Sequence, residues 1–345
     1  MQIGKELADL IQASIDFYHR YLGRRGVSSE KLQDLLTPYV MAAETAYPES
    51  MAVLKGMSIG ALVPVMELFA INAFEELEPL LESPEGKLLF LQRKEGYTKA
   101  PAPERCSSVS VRTPTTTLLS HNEHWLAGDS GNIAVIIDIP ADGRGAIASP
   151  TIVGCLPAVG INAHRVAQGV GSLMASDDGV GAPRVFVSRS SLEARDKNDA
   201  VTRVSMPTRA GGYGYVYALA DDAFIVETSG KQHRVLDGPA AHTNHYESDL
   251  AALAPPASDG SKARLARLKT LLAERNPQTP EELMDVMRDH DSTPQAICLH
   301  PEPAEGDEAS ACLFSMVADV GAKRLWVARG NPCQNPYEEI DLSDL

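Results

Sequence analysis

The sequence lacks closely spaced cysteines. It has five cysteines in 345 residues, an odd number, at Cys106, Cys155, Cys298, Cys312 and Cys333. No C-x-x-C pair is present, so the spacing of a zinc ribbon is missing and no metal site is predicted. A disulfide framework is rare in a chain of this length, and the unpaired cysteines favour a reducing compartment.

Basic residues are also few. Lys and Arg number 31 against 46 for Asp and Glu, which gives a formal net charge of −15 at neutral pH. Such a charge repels nucleic-acid phosphates and anionic lipid, so we expect neither as a partner. A local basic cluster is interpreted as the solvated face of a helix; its members are Lys262, Arg264, Arg267 and Lys269.

Long apolar runs are missing as well. No stretch approaches the roughly 18 uncharged apolar residues of a membrane-spanning helix. The N-terminal segment MQIGKELADLIQASIDFYHRY carries acidic residues and lacks the basic start, apolar run and cleavage site of a secretory signal. We therefore expect a cytoplasmic protein with no membrane partner.

Secondary-structure patterns change along the chain. Residues 1–84 place apolar side chains at the three- and four-residue steps of helices, and a proline-rich segment then ends at Arg105. Strand-like runs follow, and Arg184–Val187 is assigned to one of them. A helix over Lys262–Glu274, another beginning at Thr279 and a hairpin complete the chain. Because regular βαβ alternation is missing, the pattern predicts a layered α+β fold.

The pair Arg105-Cys106 is the first candidate for chemistry. Cys106 opens a predicted strand directly after a charged, proline-rich segment that we expect to be exposed. A cut before Cys106 would give it a free α-amine, whose ordinary pKa of about 7.7–8.0 suits a general base at neutral pH. One residue would then supply nucleophile and base, and its thiol could make the cut itself. The alternative is a small buried side chain at the start of a strand.

Two histidine-containing segments are further candidates, His121–Trp125 and His242–Tyr246. Their spacing permits a metal site, but no carboxylate or cysteine stands at a supporting distance in the second segment. Asn244 could instead donate a side-chain N–H to a developing oxyanion. The alternative is a turn in which this asparagine caps its own backbone.

In combination, these motifs resemble the acyl-coenzyme A:6-aminopenicillanic acid acyltransferase family, also called isopenicillin N acyltransferase-like proteins. Cys106-Ser107-Ser108 matches the family's nucleophile, and His121–Trp125 is similar to its His-Asn-Glu-Asp-Trp motif. His242-Thr243-Asn244-His245 matches His-Thr-Asn-His. Further similar segments are Gly60–Glu75, Gly160–Val170, Ala296–His300 and Arg329–Cys333. The order of the motifs along nearly the whole chain is more specific than any one of them.

The resemblance implies an N-terminal-nucleophile (Ntn) hydrolase with a four-layer αββα sandwich in one domain, residues 1–345. Self-cleavage between Arg105 and Cys106 would leave an α-chain of residues 1–105 and a β-chain of residues 106–345, both retained. Cys106 would attack a carbonyl while its own amine moves the proton. Asn244 would line the oxyanion hole, and His124 would lie near the amine. The other implied residues of the pocket or its support are Ser107, Asn122, Glu123, His242, His245 and Leu299.

Two residues depart from the family motifs. His124 replaces an aspartate near the nucleophile's amine, and a charged histidine there would lower the pKa of that amine. Leu299 replaces the arginine of Ser-Ile-Cys-Arg-His, which we expect to meet an anionic part of the substrate. A carboxylated substrate such as the penicillin nucleus is therefore not expected.

The resemblance thus implies an amidohydrolase or N-acyltransferase that acts on a small N-acyl amide or acyl thioester through an acyl-Cys106 intermediate. No cofactor is expected, although a coenzyme A thioester could serve as acyl donor, and a homo-oligomer is compatible with the sequence. Two alternatives remain open. One is a non-catalytic or uncleaved binding protein on the same fold, and the other is a papain-like enzyme with His242 or His245 as its base.

Overall fold

The computed structural model describes residues 1–81, 105–141, 143–291 and 293–343, and the side chains of residues 79–81 are not considered. The proline-rich segment before Arg105 and the apolar run at residues 88–92 lie outside the described residues. No helix within the described ranges is long and apolar enough to cross a membrane.

Helices form the N-terminal part of the chain through Leu81, as predicted for the described part of residues 1–84. Ser28 caps α3 because its side-chain oxygen accepts the N–H of Lys31 at 3.3 Å. Pro48 stands at the first position of α4, where no backbone donor is needed. The described α-helices are α1 Gln2–Glu6, α2 Ala8–Arg24, α3 Ser29–Ala46, α4 Pro48–Ala61, α5 Val65–Asn72, α6 Phe74–Leu81, α7 Arg184–Ser191, α8 Lys197–Val204, α9 Asp259–Arg275 and α10 Pro280–Met287.

The strands of the described residues form two antiparallel sheets of six and seven strands. They are β1 Ser107–Arg112, β2 Thr117–Leu126, β3 Ile133–Asp138, β4 Ile147–Ile152, β5 Gly160–Asn162, β6 Val166–Leu173, β7 Gly212–Leu219, β8 Ala223–Thr228, β9 His233–Asp237, β10 Ala241–His242, β11 Ser310–Asp319, β12 Arg324–Arg329 and β13 Glu338–Asp341. The six-stranded sheet has the order β10-β1-β2-β11-β12-β13, and the seven-stranded sheet runs from β3 to β9 in chain order.

The two sheets face each other through β1 and β2 on one side and β6 and β7 on the other. Gly169 on β6 permits this close approach, since a Cβ there would lie 2.8 Å from Ser108 Oγ. Helices α9 and α10 cover the outer face of the six-stranded sheet with Leu265, Leu268 and Leu283. Helices α7 and α8 and the N-terminal helices belong to the larger core with the seven-stranded sheet. The predicted αββα sandwich is confirmed.

One predicted strand is a helix. Arg184–Val187 begins α7, although its β-branched residues favour a strand. Pro183 stands at the N-cap, and the buried Arg184 guanidinium forms ion pairs with Glu76 at 2.8 Å and Asp178 at 2.8 Å. Asp178 is 6 residues away, whereas Glu76 is 108 residues away, so a tertiary contact helps to override the local preference.

Candidate active site

The register of three strands brings the predicted motifs together. Cys106 immediately precedes β1, which lies between β10 and β2. Ser107 pairs with Asn122 on β2, and Ser108 pairs with both His121 and His242. The His121–Trp125 segment lies within β2. Strand pairing alone places the three segments within one site.

The Cys106 side chain is buried, with 4% of its surface exposed. Its Sγ donates to Glu123 Oε1 at 3.2 Å. Burial raises the pKa of the Cys106 thiol well above its ordinary value, and the charge of Glu123 raises it further. In the uncut chain Cys106 is thus a protonated thiol held against a carboxylate that can accept its proton.

Glu123 continues a chain of polar contacts away from Cys106. Its Oε2 lies 3.0 Å from His121 Nε2, and His121 Nδ1 lies 2.9 Å from Ser108 Oγ. His121 is fully buried, so the two contacts orient its ring. The carboxylate of Glu123 is fixed between a thiol and an imidazole, which suits a group that takes and returns a proton.

Arg105, on the other side of the predicted cleavage point, is buried and not exposed as expected. Its guanidinium pairs with Glu78 at 2.6 Å and lies 3.8 Å from the centre of the Trp125 ring. Its backbone N–H donates to Asn244 Oδ1 at 3.2 Å. Both the side chain and the backbone of Arg105 therefore have buried partners beside Cys106.

His124 is fully buried, and its Nε2 lies 3.0 Å from the carbonyl of Ile297. A carbonyl only accepts, so Nε2 carries a proton. Burial lowers the pKa of His124 well below its ordinary value, and the charge of Arg264 lowers it further. The imidazole is neutral at neutral pH, so it does not lower the pKa of a nearby amine through a positive charge.

Arg264 on α9 is a site residue that the sequence reasoning placed on a solvated helix face. It is 1% exposed, and its Nη1 donates to the Cys106 carbonyl at 2.7 Å and to Ser107 Oγ at 2.9 Å. Its Nη2 donates to Asn244 Oδ1 at 2.9 Å. The sequence does contain one indication that Arg264 is buried, since it stands one turn before Leu268 on the apolar face of the helix.

Asn244 is oriented from both ends of its amide. Its Oδ1 accepts from Arg105 and Arg264, and its Nδ2 donates to the carbonyl of Ser172 at 3.3 Å. The amide nitrogen carries two N–H bonds, so one is left after the Ser172 contact, although Asn244 is not part of the wall of the cavity beside Cys106. Asn122 has a supporting position, since its Nδ2 donates to the carbonyls of Met287 at 3.0 Å and Ile297 at 2.8 Å.

The remaining predicted residues contact groups other than the thiol. His242 Nε2 contacts Glu227 at 2.9 Å, and His245 Nδ1 contacts Ser261 Oγ at 2.7 Å. These pairings do not connect either histidine to Cys106, so the geometry gives no support to a papain-like base. Leu299 is buried but is not part of the wall of the cavity beside Cys106.

A cavity of about 70 Å³ that opens to solvent adjoins Cys106 and Glu123 between the two sheets. Its wall is mainly apolar and includes Ile71, Phe74, Trp125, Ile152, Val170 and Phe314. Glu75 adds a carboxylate, which accepts from Ser172 Oγ at 3.0 Å and Tyr213 OH at 3.1 Å. Burial raises the pKa of Glu75, while the charges of Arg105 and Arg184 oppose the rise. The space suits an apolar group attached to a reactive carbonyl.

No family model matches the chain, and no curated protein matches it. Several solved structures are similar at low identity. An N-acylethanolamine-hydrolyzing acid amidase ortholog from Caenorhabditis elegans is 12% identical, with 63% of this chain and 93% of that chain covered and a TM-score of 0.43. Penicillin V acylase from Agrobacterium tumefaciens is 12% identical, with 70% and 87% covered and a TM-score of 0.45. A mutant of conjugated bile acid hydrolase from Clostridium perfringens is 11% identical, with 70% and 93% covered and a TM-score of 0.47.

Proposed function

We propose that this chain is a self-cleaving cysteine Ntn hydrolase or acyltransferase, and that it transfers the acyl group of a small N-acyl amide or acyl thioester through an acyl-Cys106 intermediate. The observation that carries the proposal is the position of Cys106. Its thiol contacts Glu123 at 3.2 Å and borders the apolar cavity, while its backbone follows a buried Arg105. The resemblance of the sequence motifs supports the same assignment.

Self-cleavage would begin when Cys106 Sγ attacks the carbonyl carbon of Arg105. The thiol proton passes to Glu123 and from there to the Cys106 nitrogen, as the C–N bond between the two residues breaks. This leaves a thioester between Arg105 and the Cys106 sulfur. Water then hydrolyses the thioester, which gives a carboxylate on Arg105 and frees the thiol and α-amine of Cys106.

In the mature enzyme the same thiol would attack the substrate carbonyl, with the new α-amine as base. The second N–H of the Asn244 amide is proposed to stabilise the tetrahedral oxyanion. Water as acceptor completes hydrolysis, and an amine as acceptor completes transfer. Because Glu75 and Glu123 are carboxylates beside the cavity, an uncharged apolar acyl group fits better than an anionic one.

The mass of the purified protein tests this proposal. The wild-type chain should give two species, residues 1–105 and 106–345, and Cys106→Ala should give only the intact chain. Cys155→Ala is the matched control, because Cys155 borders the same cavity but does not follow the cut. An intact wild-type chain that still turns over an N-acyl substrate would contradict the mechanism.

A second candidate is a non-catalytic binding protein on this fold, which the raised pKa of the Cys106 thiol favours in the uncut chain. It predicts that Cys106 stays unreactive. Treatment of the purified protein with a thiol reagent separates the two candidates. Stoichiometric labelling of Cys106 at neutral pH, compared with the Cys106→Ala variant, would support the enzyme.

A further inference from the structure

Four side chains away from the candidate active site converge on a point between two connecting segments, the one from α10 to β11 and the turn after β12. His290 follows α10, Cys298 and His300 lie in the loop before β11, and Cys333 lies in the turn after β12. One donor atom from each, Nε2 of the histidines and Sγ of the cysteines, lies within 4.8 Å of all the others. The ligand spacing along the chain is long and irregular, so the cluster does not match a metal-binding sequence motif.

Four of the six distances between these atoms are close to the edges of a tetrahedron, and the two from His290 to the cysteine sulfurs are within 4.8 Å. Cys298 Sγ and Cys333 Sγ are 3.6 Å apart, and the His290 and His300 Nε2 atoms are 3.0 Å apart. His300 Nε2 lies 3.2 Å from Cys333 Sγ and 3.9 Å from Cys298 Sγ. Zn–S bonds of about 2.3 Å and Zn–N bonds of about 2.0–2.1 Å give tetrahedral edges of roughly 3.8 Å, 3.3 Å and 3.6 Å for S–S, N–N and S–N. The observed edges agree with these to within a few tenths of an ångström.

The donor types select the metal. Two sulfurs and two imidazole nitrogens suit Zn²⁺, whereas Mg²⁺ and Ca²⁺ require oxygen ligands. The Asn331 side chain supports the cluster from behind, because its Nδ2 donates to Cys298 Sγ at 3.4 Å and to the Leu299 carbonyl at 2.8 Å. Such hydrogen bonds to a ligand sulfur orient it and favour the thiolate form.

We propose that His290, Cys298, His300 and Cys333 form a closed Cys₂His₂ zinc site. With all four positions filled by protein, the ion has no place for substrate, and its role is structural. The site ties the loop before β11 to the turn after β12. Ile297, one residue before Cys298, accepts hydrogen bonds from Asn122 and His124 through its carbonyl. The zinc therefore holds the segment that supports the candidate active site.

The competing arrangement is a disulfide between Cys298 and Cys333. A disulfide requires sulfurs about 2.05 Å apart, closer than the 3.6 Å seen here. It would also leave both imidazoles without a ligand role. The two arrangements differ in composition, since one contains a metal ion and the other has lost two hydrogens.

Metal analysis of the full-length chain, purified without an affinity tag and dialysed, tests the proposal. We expect about one zinc ion per chain, as for a closed structural site. Cys333→Ser and His300→Ala should each lose most of the zinc, while Cys155→Ser, a cysteine outside the cluster, should retain it. Replacement of zinc by cobalt should give the intense visible absorption of a tetrahedral site with sulfur ligands, and Cys333→Ser should lose that absorption.

Three results would overturn the proposal. The first is a wild-type chain that contains no zinc and takes up none when Zn²⁺ is added. The second is an unchanged zinc content in both ligand variants. The third is a Cys298–Cys333 disulfide in peptides from the non-reduced protein. None of these measurements uses catalytic activity. The zinc site and the self-cleavage at Cys106 can therefore fail or succeed separately.

Discussion

Cys106 is held by different parts of the chain at its backbone and at its side chain. Arg264 on α9 donates to its carbonyl, and Glu123 on β2 accepts from its thiol. In the proposed self-cleavage, these contacts would hold the peptide while the sulfur attacks the Arg105 carbonyl. The proposed reaction depends on the proton acceptor of the thiol, because the α-amine would form only with the cut.

Glu123→Gln should slow self-cleavage by about 10²–10⁴-fold, the usual effect of losing a general base. The amide keeps the size of the side chain but no longer takes the thiol proton. The measurement is the fraction of intact chain against time after synthesis in a cell-free system. Glu75→Gln removes a carboxylate from the same cavity wall and should cleave at close to the wild-type rate. Equal rates for Glu123→Gln and the wild type would exclude Glu123 as the base.

Asp129 gives a pH-dependent prediction outside the site. Burial raises the pKa of Asp129 to about 6, while the hydrogen bonds of Tyr18 and Asn132 partly oppose this rise. Because the folded pKa lies above the unfolded value, the folded state binds the extra proton. Protonated Asp129 therefore contributes about 2–3 kcal/mol to the free energy of unfolding below about pH 4. This contribution is lost as the pH rises through 6.

Asp129→Asn should remove this dependence. The free energy of unfolding in urea, measured from pH 4.5 to 8 for both proteins, should show a variant that becomes relatively more stable as the pH rises. Asn132 Nδ2 can still donate to the amide oxygen, so the hydrogen bond at 3.4 Å is retained. Parallel curves for the two proteins would mean that Asp129 titrates normally in the folded state.

At the scale of elements, α9 joins the outer helical layer to the reacting peptide. Its buried face carries Leu265, Leu268 and Leu271, which pack on the six-stranded sheet, and Arg264, which reaches Cys106 and Asn244. The same face of α9 therefore packs on the sheet and contacts the candidate active site. A shift of the helix along the sheet would misplace the asparagine amide as well as the scissile bond.

Arg264→Met should lower the free energy of unfolding by about 2–4 kcal/mol and slow self-cleavage, because the buried carbonyl and amide oxygens lose a charged donor. Urea unfolding and the cleavage time course measure the two effects. Arg264→Lys keeps the charge but not the planar fork, so its effects should be intermediate. Lys262→Met, at an exposed position of the same helix, should change stability by less than about 0.5 kcal/mol. Wild-type cleavage in Arg264→Met would show that the helix is only structural.

At the scale of the whole molecule, the N-terminal helices are part of the main core. Tyr18 OH accepts from Trp125 Nε1 at 2.7 Å, and Phe74 packs edge-on against the same indole at 5.6 Å. Asn72 donates to the Gly154 carbonyl at 2.8 Å and accepts from Leu156 N–H at 2.8 Å. Residues before and after the predicted cut therefore share one core.

The two chains should accordingly stay together after self-cleavage. Residues 1–105 and 106–345 should co-elute in size-exclusion chromatography at the size of the intact protein and separate only in denaturant. The Cys106→Ala chain, which stays intact, supplies the reference elution volume. A β-chain that elutes alone and remains folded would show that the helical layer is a removable propeptide.

Much of the secondary structure could be predicted because it depends on near neighbours. The capping box of Thr279 and Glu282 starts α10 as expected, and the hairpin of β11 and β12 matches its apolar runs. The helix at Arg184–Val187 could not be predicted, because it depends on ion pairs of Arg184 with Glu76 and Asp178. Cys333 is exposed, because it lies in a turn and not in a strand.

The sequence by itself determined the helical and strand blocks, the layered α+β class and the candidate nucleophile Cys106, since each of these is written in short-range periodicity or in a motif. Only the tertiary structure decided what surrounds the thiol. Glu123 as its partner, the neutral state of His124 and the buried Arg264 all follow from strand register and from the depth at which α9 packs. The cluster of His290, Cys298, His300 and Cys333 has the same origin, because the segment between α10 and β11 meets the turn after β12 there. Proton transfer and metal binding depend on distances of a few ångströms, and the fold sets these between residues far apart in the chain.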